Sequence, residues 1–351
     1  MSIRQAFFRG ALIKDILNFS ARAPSLSIVT PIYNGAKTLN VYLGSVYGSL
    51  YRDFELIIVD GLSEDRSEQI CKGYKLRYEQ LGRRCDSANK RNKGLEMAQA
   101  ELVLFLDADI VIPPTALGDI MGIFKDHPEI AGLIGSYDDD PGGRNMTSQF
   151  KFLFHHYTHQ QEGRYIDSFW SGCGAIRKNV FNSLGGFNAP FLHGGSVHDI
   201  EFGYRLKRGG YKIYNAKEIQ VKHLKELDLW EWIYTDICVR GVPWIIIMLT
   251  YKDFSLKLNA NRTGIISTLC AWGLVVMLGA SVWGGIFIDG AGACLAIFLA
   301  VNWKMLDFFR MKKDFLFSSL CVFYLLVYYF NCGICALAGP IYYARIPHKR
   351  C

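Results

Sequence analysis

The stretch LVLFLDADIVIPP (102–114) decides the fold. Five apolar residues lead directly into Asp107 and Asp109, and a pair of prolines follows. A continuous apolar run of this length is typical of a strand that is covered on both faces of a sheet. Carboxylates at the end of such a strand need a positively charged partner, because an unpaired buried charge is costly. Residues i and i+2 of an extended chain point the same way, so we expect both aspartates to bind one divalent cation.

Two earlier stretches have the same form, an apolar run that ends in polar residues. They are LSIVTPIYN (26–34) and FELIIVD (54–60), and helical stretches separate the three runs. This alternation predicts one α/β domain, built as a doubly wound sheet, over residues 24–225. Open α/β sheets bind their ligands at the carboxyl ends of the strands. The polar ends of the three runs therefore mark the candidate site.

The composition divides the chain into two parts. It has 351 residues, a formal net charge of +7 and a mean hydropathy of +0.12. Residues 263–303 and 315–343 are dense in apolar residues and glycine, which predicts membrane-embedded helices. Basic residues close to these stretches fit an anionic membrane surface. No run of Lys and Arg with interleaved aromatic residues occurs, so a nucleic-acid partner is not expected.

Four further segments are predicted around the α/β domain. Residues 1–23 form a weakly amphipathic helix, for which an interfacial and a soluble position both remain open. Residues 226–258, rich in Trp and Tyr, predict helices at the membrane interface, and residues 259–343 predict about three transmembrane helices. Residues 344–351 form a basic tail. With three spans this tail and the basic residues around Lys312 lie on opposite sides, in conflict with the positive-inside rule.

Five motifs of the α/β domain resemble those of the family 2 glycosyltransferases of the GT-A fold, in the same order and at similar distances. The motifs are VTPIYN (29–34), IIVDGLSED (57–65), ANKRNKGLEMAQAELVLFLDAD (88–109), SGCGAIRKNVFNSLGGFN (171–188) and HDIEFGYRLKRGGYKI (198–213). The resemblance covers about two-thirds of the chain and none of its membrane part. It implies a nucleotide-diphospho-sugar transferase domain with a Rossmann-like mixed sheet, followed by interfacial and transmembrane helices.

The resemblance also assigns a donor site for a nucleotide-sugar. Nucleotide binding falls to residues at the strand ends and on the helix before the third strand: Pro31, Tyr33, Asp60, Arg91, Asn92 and Asp107. Asp109, together with Asp107, would hold Mn²⁺ or Mg²⁺, which polarises the leaving phosphate. His223, at the end of the last predicted strand, is a candidate third metal ligand, with a buried structural histidine as the alternative. Core packing is likewise the alternative for Tyr33.

The acceptor side departs from the family pattern at one position. The family's acceptor motif usually begins Glu-Asp, whereas this chain has His198-Asp199. The resemblance makes Asp199 the base that takes the proton of an acceptor hydroxyl. The role of the usual Glu is in doubt here, and we interpret His198 as a structural surface residue. Trp170, Gly172 and Gly174 belong to the loop that passes close to donor and acceptor, where glycine permits close approach. Sugar stacking and core packing both remain open for Trp170.

Together these features predict a membrane-bound, metal-dependent inverting glycosyltransferase. It would move a sugar from a nucleotide-sugar, with UDP-sugars favoured, to a hydroxyl of a lipid or lipid-linked glycan. We expect the catalytic domain on the cytosolic face of a bacterial-type inner or plasma membrane. A polyprenyl-phosphate glycosyltransferase is the alternative, because an ionised phosphate acceptor needs no base.

Three other functions are disfavoured by particular residues. A processive polysaccharide synthase of this family would carry a Q/RxxRW motif. It is disfavoured because the nearest string, RGVPW (240–244), has Arg240 and Trp244 at the wrong spacing. A nucleotidyltransferase would need a Gly-rich loop after the first strand, where VTPIYNGAKT (29–38) has one glycine. An inactive scaffold would have no need of the aspartates at the strand ends. The sequence leaves the sugar, the acceptor and the oligomeric state open.

Overall fold

A computed structural model describes residues 23–188, 197–254 and 261–345. The predicted N-terminal helix, 1–23, lies outside the described residues except for its last residue, and the predicted basic tail lies outside them beyond residue 345. The predicted α/β domain, apart from residues 189–196, and the predicted apolar segments 263–303 and 315–343 can be compared with the structure.

A nine-stranded sheet forms the centre of the α/β domain, which is the predicted catalytic domain. Its strands are β1 (Leu26–Ile32), β2 (Phe54–Asp60), β3 (Arg77–Gln80), β4 (Leu102–Leu106), β5 (Ile110–Val111), β6 (Ile130–Tyr137), β7 (Tyr165–Ile166), β8 (Cys173–Arg177) and β9 (Lys212–His223). The order in the sheet is β3-β2-β1-β4-β8-β6-β9-β5, with β7 also paired to β9. Strands β3, β2, β1 and β4 are parallel, whereas β8 runs antiparallel to both β4 and β6. The sheet is therefore mixed, as the family resemblance implied.

The three predicted strands are confirmed as β1, β2 and β4. Their side chains alternate between two buried clusters, because successive residues of a strand face opposite sides of a sheet. Ile28 and Leu104 pack on one face, and Val29 and Phe105 pack on the other. Helices cover both faces, which explains why the three runs are apolar throughout.

Seven helices belong to the catalytic domain and five to the carboxyl-terminal part of the described chain. The first seven are α1 (Ala36–Tyr47), α2 (Ser67–Cys71), α3 (Ser87–Met97), α4 (Ala116–Asp126), α5 (Met146–Gln161), α6 (Lys178–Ser183) and α7 (His198–Arg208). The others are α8 (Leu229–Tyr234), α9 (Val242–Tyr251), α10 (Arg262–Ala280), α11 (Ile286–Lys312) and α12 (Phe315–Arg345). A π-helical segment, Thr235–Gly241, joins α8 to α9.

Four helical stretches are long and apolar enough to cross a membrane. They are Leu229–Tyr251, Arg262–Trp283, Ile286–Lys312 and Phe315–Arg345, one more than the three spans predicted. The additional stretch is the one for which the sequence predicts a position at the membrane interface. Three spans therefore remain a proposal, in which this first stretch lies along the membrane surface.

Both ends of the first apolar stretch contact the catalytic domain. At its start, Trp232 packs edge-on against Phe150 of α5, with ring centroids 5.5 Å apart. At its end, the Arg208 guanidinium of α7 donates a hydrogen bond of 2.8 Å to the carbonyl oxygen of Tyr251. The stretch is therefore attached to the α/β domain at both of its ends.

A buried ion pair joins the catalytic domain to this helix. The ammonium nitrogen of Lys151, on α5, lies 2.6 and 2.8 Å from the two carboxylate oxygens of Asp236. Both side chains are less than one-tenth exposed. The surroundings are apolar and aromatic, and include Trp232 and Tyr328, whose rings lie within 6 Å of the ammonium. The pair therefore fixes the position of the π-helical segment against α5.

Removing one member of this pair should destabilise the protein strongly. Lys151→Met leaves the Asp236 carboxylate buried without its partner, and we expect a loss of about 3 to 5 kcal/mol in the free energy of unfolding. Denaturant titration in detergent measures this quantity. Lys304→Met, at an exposed position of α11, is the control and should change the free energy by less than about 0.5 kcal/mol. The double variant Lys151→Met/Asp236→Leu should recover most of the loss, and a Lys151→Met protein of unchanged stability would contradict the interpretation.

Candidate active site

A cavity of about 1030 Å³ opens at the carboxyl ends of β1, β4 and β9. It brings together nine of the predicted site residues, from both the donor and the acceptor side: Pro31, Tyr33, Arg91, Asp107, Asp109, Trp170, Gly172, Asp199 and His223. Asp60, Asn92 and Gly174 are predicted site residues that do not line it. The cavity thus lies where the strand ends predicted it.

Asp107 and Asp109 reach the cavity from a turn and not from an extended strand. Strand β4 ends at Leu106, and the Ile110 amide donates to the carbonyl oxygen of Asp107 at 3.2 Å, which closes the turn. The prediction that Asp107 and Asp109 lie in an extended strand and therefore point the same way is wrong, although both carboxyl groups line the same cavity. The two groups also have different partners: Asp107 forms an ion pair with Arg91, and Asp109 lies beside His223.

The two carboxyl groups form an environment that favours a cation. Burial raises the pKa of both Asp107 and Asp109, and the neighbouring charge of Asp109 raises that of Asp107 further, against the opposing effect of Arg91. Among the described residues, no group of three or more His, Cys, Asp and Glu side chains is arranged to hold a metal ion. Two carboxylates with the remaining ligands taken from phosphate oxygens and water are a common arrangement for Mg²⁺. The donor set thus fits a divalent cation that binds together with a diphosphate.

His223 approaches Asp109 with the nitrogen that carries its proton. The Lys225 amide donates a hydrogen bond of 3.1 Å to His223 Nδ1, so the neutral ring carries its hydrogen on Nε2. Nε2 lies 3.7 Å from Asp109 Oδ1. Burial lowers the pKa of His223 to about 4, which keeps the ring neutral near pH 7. In this tautomer His223 orients Asp109, and metal ligation by Nε2 would require the hydrogen bond from Lys225 to break.

Arg91 connects Asp107 to the histidine that departs from the family motif. One guanidinium nitrogen pairs with Asp107, and another donates to His198 Nε2 at 2.9 Å. His198 is only 8% exposed, so our interpretation of it as a surface residue was wrong. Burial lowers the pKa of His198, and the positive charge of Arg91 acts in the same direction. A neutral imidazole therefore accepts from Arg91 at the position where the family usually has a Glu.

Asp199 presents a carboxylate to the cavity from the first turn of α7. Its Oδ2 accepts hydrogen bonds from the backbone amide and the hydroxyl of Ser171, at 3.2 and 3.1 Å. Its Oδ1 accepts from the Ile200 amide at 2.8 Å. These donors fix the orientation of the carboxylate, while Oδ1, which accepts a single hydrogen bond, keeps a lone pair free to accept a proton. The arrangement suits a general base.

Two of the predicted nucleotide-binding residues are fully engaged within the protein. Asp60 is completely buried, and its carboxylate accepts from the Ser63 amide and hydroxyl and from the Tyr78 hydroxyl. The side-chain amide of Asn92 makes two hydrogen bonds to the backbone of Phe187. Asn92 therefore holds the backbone directly after Gly185 and Gly186, and Asp60 holds the loop that contains Ser63.

Tyr33 and Lys90 line the cavity on the side where the sequence predicts nucleotide binding. The guanidinium of Arg84 lies 4.4 Å from the centre of the Tyr33 ring, over the face on which a base could stack. Lys90 is buried, and its ammonium donates a hydrogen bond of 3.1 Å to the carbonyl oxygen of Ile32. Sequence reasoning missed both Arg84 and Lys90. Lys90 stands in the quoted motif ANKRNKG, directly before Arg91, so its position offered a signal.

Trp170 explains why glycine occupies positions 172 and 174 of its loop. A Cβ atom on Gly172 would lie 2.6 Å from the Trp170 indole nitrogen, and one on Gly174 would lie 2.3 Å from the Trp170 carbonyl oxygen. The space beside both glycines is thus occupied by Trp170 and its neighbour Phe169. Trp170 also contacts Tyr137, with ring centroids 4.6 Å apart, and still lines the cavity.

The sequence and structural comparisons agree with this architecture. Residues 27–185 match the family model described as Glycosyl transferase family 2. This domain belongs to glycosyltransferase family 2. The poly(ribitol-phosphate) beta-N-acetylglucosaminyltransferase TarP of Staphylococcus aureus is 34% identical over 128 residues, which cover 34% of this chain and 39% of that protein. The chain therefore spans about two-fifths of the length of this curated relative.

Two solved structures share the fold. The mannosyltransferase PcManGT from Pyrobaculum calidifontis, in complex with GDP-Man and Mn²⁺, matches with a TM-score of 0.53 at 15% identity over 89% of this chain and 87% of that chain. S. aureus TarS in complex with UDP-GlcNAc matches with a TM-score of 0.51 at 18% identity over 93% of each chain. The predicted family and the GT-A fold are confirmed by these matches, together with the mixed sheet and the apolar carboxyl-terminal helices.

The burial of His198 beside Arg91 should make stability depend on pH. Because the pKa of His198 is lower in the folded protein than its usual value of 6.5, the folded state binds fewer protons, and stability should fall as the pH drops below about 6.5. His198→Gln keeps an acceptor for Arg91 but does not titrate. Between about pH 7 and pH 5 the wild type should lose about 1 to 3 kcal/mol more than this variant in the free energy of unfolding. Equal pH profiles for the two proteins would contradict a neutral, buried His198.

Proposed function

We propose that the protein is a membrane-bound inverting glycosyltransferase that transfers a sugar from a nucleotide-sugar to a hydroxyl of a lipid or lipid-linked glycan. The observation that carries this proposal is the cavity that Asp107, Asp109 and Asp199 share. A single displacement at the sugar requires two kinds of group. One is a pair of carboxylates that binds a cation, and the other is a separate, well-oriented carboxylate that accepts a proton. The cavity also reaches the apolar helices, from which a lipid acceptor can approach.

The donor diphosphate would lie between the aspartate pair and two cationic side chains. Lys90 and Arg91 both line the cavity, and their charges attract phosphate oxygens. A divalent cation such as Mn²⁺ or Mg²⁺, bound by Asp107 and Asp109, would offset the negative charge that develops on the leaving diphosphate. Arg91 holds Asp107 in place through their ion pair, so the same residue would bind phosphate and position a metal ligand.

The acceptor hydroxyl would lose its proton to Asp199. Ser171 holds the Asp199 carboxylate in position, and the base can act on a hydroxyl that approaches from the acceptor side of the cavity. Attack on the anomeric carbon from the side opposite the leaving diphosphate inverts its configuration. Trp170, at the wall of the cavity, offers an aromatic face on which a sugar can pack.

We favour a UDP-sugar as the donor. The related TarP is named as an N-acetylglucosaminyltransferase, and the TarS structure holds UDP-GlcNAc, whereas the PcManGT structure holds GDP-Man. Since both nucleotides occur among the compared proteins, the nucleotide is the first property to measure. We place the catalytic domain in the cytosol of a bacterial-type cell, and the free thiols of the nine described cysteines fit a reducing compartment.

Nucleotide binding should require Asp109 and a divalent cation. UDP with Mn²⁺, at a hundredfold excess over its dissociation constant, should stabilise the detergent-purified protein by about 2.7 kcal/mol, while GDP should have less effect. Thermal unfolding measures the response, and Asp109→Asn should abolish it. Asp119→Asn, in an exposed first turn of α4, is the matched control and should respond as the wild type does. A response to neither nucleotide would contradict the proposed donor site and favour an inactive scaffold.

Sugar transfer should require Asp199. Asp199→Asn cannot accept the acceptor proton, and we expect a loss of about 10²- to 10⁴-fold in turnover with nucleotide affinity nearly unchanged. Incorporation of radiolabelled sugar into membrane lipid extracts measures turnover, and thermal shift measures nucleotide binding. Asp126→Asn, at an exposed position at the end of α4, is the control. Full activity of Asp199→Asn would instead favour a polyprenyl-phosphate acceptor, which is already ionised.

A further inference from the structure

The cavity of the candidate active site continues past the aspartates into the space between the catalytic domain and the apolar helices. Its far part is lined from three of these helices by Arg240, Trp244, Met248, Ile265, Leu269 and Asn331. Most of these side chains are apolar, and Ile265 and Leu269 are also 47% and 68% exposed on the outer surface. An acyl or prenyl chain could therefore leave the cavity between the helices and enter the bilayer.

Arg240 provides an uncompensated positive charge at this junction. It lies in the π-helical segment Thr235–Gly241, its side chain is exposed to the cavity, and its charge acts on His155 and His223, which line the same space. Lys151, another cation that lines the cavity, is neutralised by Asp236. Within the described part of the chain, no hydrogen bond or ion pair is found for the Arg240 guanidinium. A guanidinium in this position calls for an anionic partner.

A second unpartnered donor lies on the other wall of the same space. Asn331, on α12, is only 5% exposed, and its side-chain nitrogen Nδ2 has no hydrogen-bond partner among the described residues. Leaving a buried polar group unpaired is costly, so such a group indicates a ligand that is not part of the chain. Asn331 lines the cavity, which places a ligand oxygen within its reach.

The two donors belong to helices in direct contact. Cys335 lies one helical turn beyond Asn331, and its Sγ atom is 3.9 Å from the carbonyl oxygens of Asp236 and Ile237 in the π-helical segment. A Cβ atom on Gly241 would lie 2.4 Å from the same sulfur, so the absence of a side chain there permits the contact. The π-helical turn thus brings the backbone next to Arg240 against the helix that carries Asn331. Such turns occur frequently at functional sites.

We propose that Arg240 and Asn331 bind the phosphate or diphosphate headgroup of a lipid-linked acceptor, with the lipid chain extending past Ile265 and Leu269. This inference rests on the proposed glycosyltransferase function, whose acceptor class it narrows to phosphate-bearing lipids. The guanidinium and the amide donate hydrogen bonds to the headgroup oxygens, and the apolar lining accommodates the start of the chain. A headgroup bound there keeps the glycan or hydroxyl to be modified on the side of the cavity that holds Asp199.

The test uses farnesyl diphosphate as a short prenyl-diphosphate probe, with the full-length protein in a maltoside detergent that contains no phosphate. Isothermal titration calorimetry is performed with saturating UDP and Mn²⁺, so that the donor site is already occupied. Farnesyl diphosphate should bind, and Arg240→Gln and Asn331→Leu should each weaken binding by about tenfold or more. Arg345→Gln, at an exposed position at the end of α12, is the matched control and should bind as the wild type does.

Two further probes test the contributions of the diphosphate and of the prenyl chain separately. Farnesol, which lacks the diphosphate, and inorganic diphosphate, which lacks the prenyl chain, should each bind at least about tenfold more weakly than farnesyl diphosphate. Equal binding of farnesol would overturn the headgroup assignment, and equal binding of inorganic diphosphate would overturn the assignment to a lipid. Unchanged affinity of Arg240→Gln for farnesyl diphosphate would overturn the proposal as well. Because position 240 is exposed, this substitution should not affect folding, and its effect on affinity reports on binding.

The results of these titrations also distinguish a failure of this inference from a failure of the proposed function. If UDP binds and farnesyl diphosphate does not, the lipid-headgroup site is wrong and the donor site stands. If farnesyl diphosphate binds with dependence on Arg240 while neither UDP nor GDP binds, the headgroup site stands and the donor assignment fails. Binding of UDP with Mn²⁺ by Arg240→Gln and Asn331→Leu shows that both variants are folded.

Discussion

The enclosed negative charge of Asp107 and Asp109 is the constraint on which the rest of the site depends. Carboxylates at the end of a buried strand are tolerated only where positive or hydrogen-bonding partners surround them. Here Arg91 pairs with Asp107, and the Nε2 side of His223 faces Asp109. Arg91 in turn needs an acceptor for its second nitrogen, which a neutral His198 supplies. The compensation of this negative charge thus links β4, α3, α7 and β9. The two carboxylates still attract a cation, and the proposed chemistry uses this attraction.

A second electrostatic unit connects the catalytic domain to the apolar helices. The ion pair of Lys151 and Asp236 is buried among aromatic side chains, and it fixes a π-helical segment against α5. Because Lys151 is neutralised there, the neighbouring Arg240 is left as a cation without a partner among the described residues at this end of the cavity. The same arrangement that joins domain and helices therefore also creates the proposed lipid-headgroup site. Catalytic carboxylates and an apolar exit for a lipid lie in one continuous space.

Much of the donor side could be predicted because it depends on local pattern. Apolar runs that end in polar residues indicated β1, β2 and β4 and the edge of the sheet at which the cavity opens. The contacts of individual side chains were harder to predict from the sequence. Asp60 and Asn92 fit the family motifs, yet their polar atoms are engaged by Tyr78, Ser63 and the backbone of Phe187. Tyr78 lies 18 positions from Asp60, and Phe187 lies 95 positions from Asn92, so no local pattern indicates these two partners.

The sequence by itself determined the family, the α/β class, the position of the aspartate pair and the presence of apolar helices, because each of these depends on residue order and periodicity over short distances. Only the tertiary structure decided that His198 is buried against Arg91, that Trp170 occupies the space beside Gly172 and Gly174, and that Arg240 and Asn331 face one cavity. These relations follow from the packing of distant segments, in which burial and charge compensation are shared among side chains that the sequence keeps far apart.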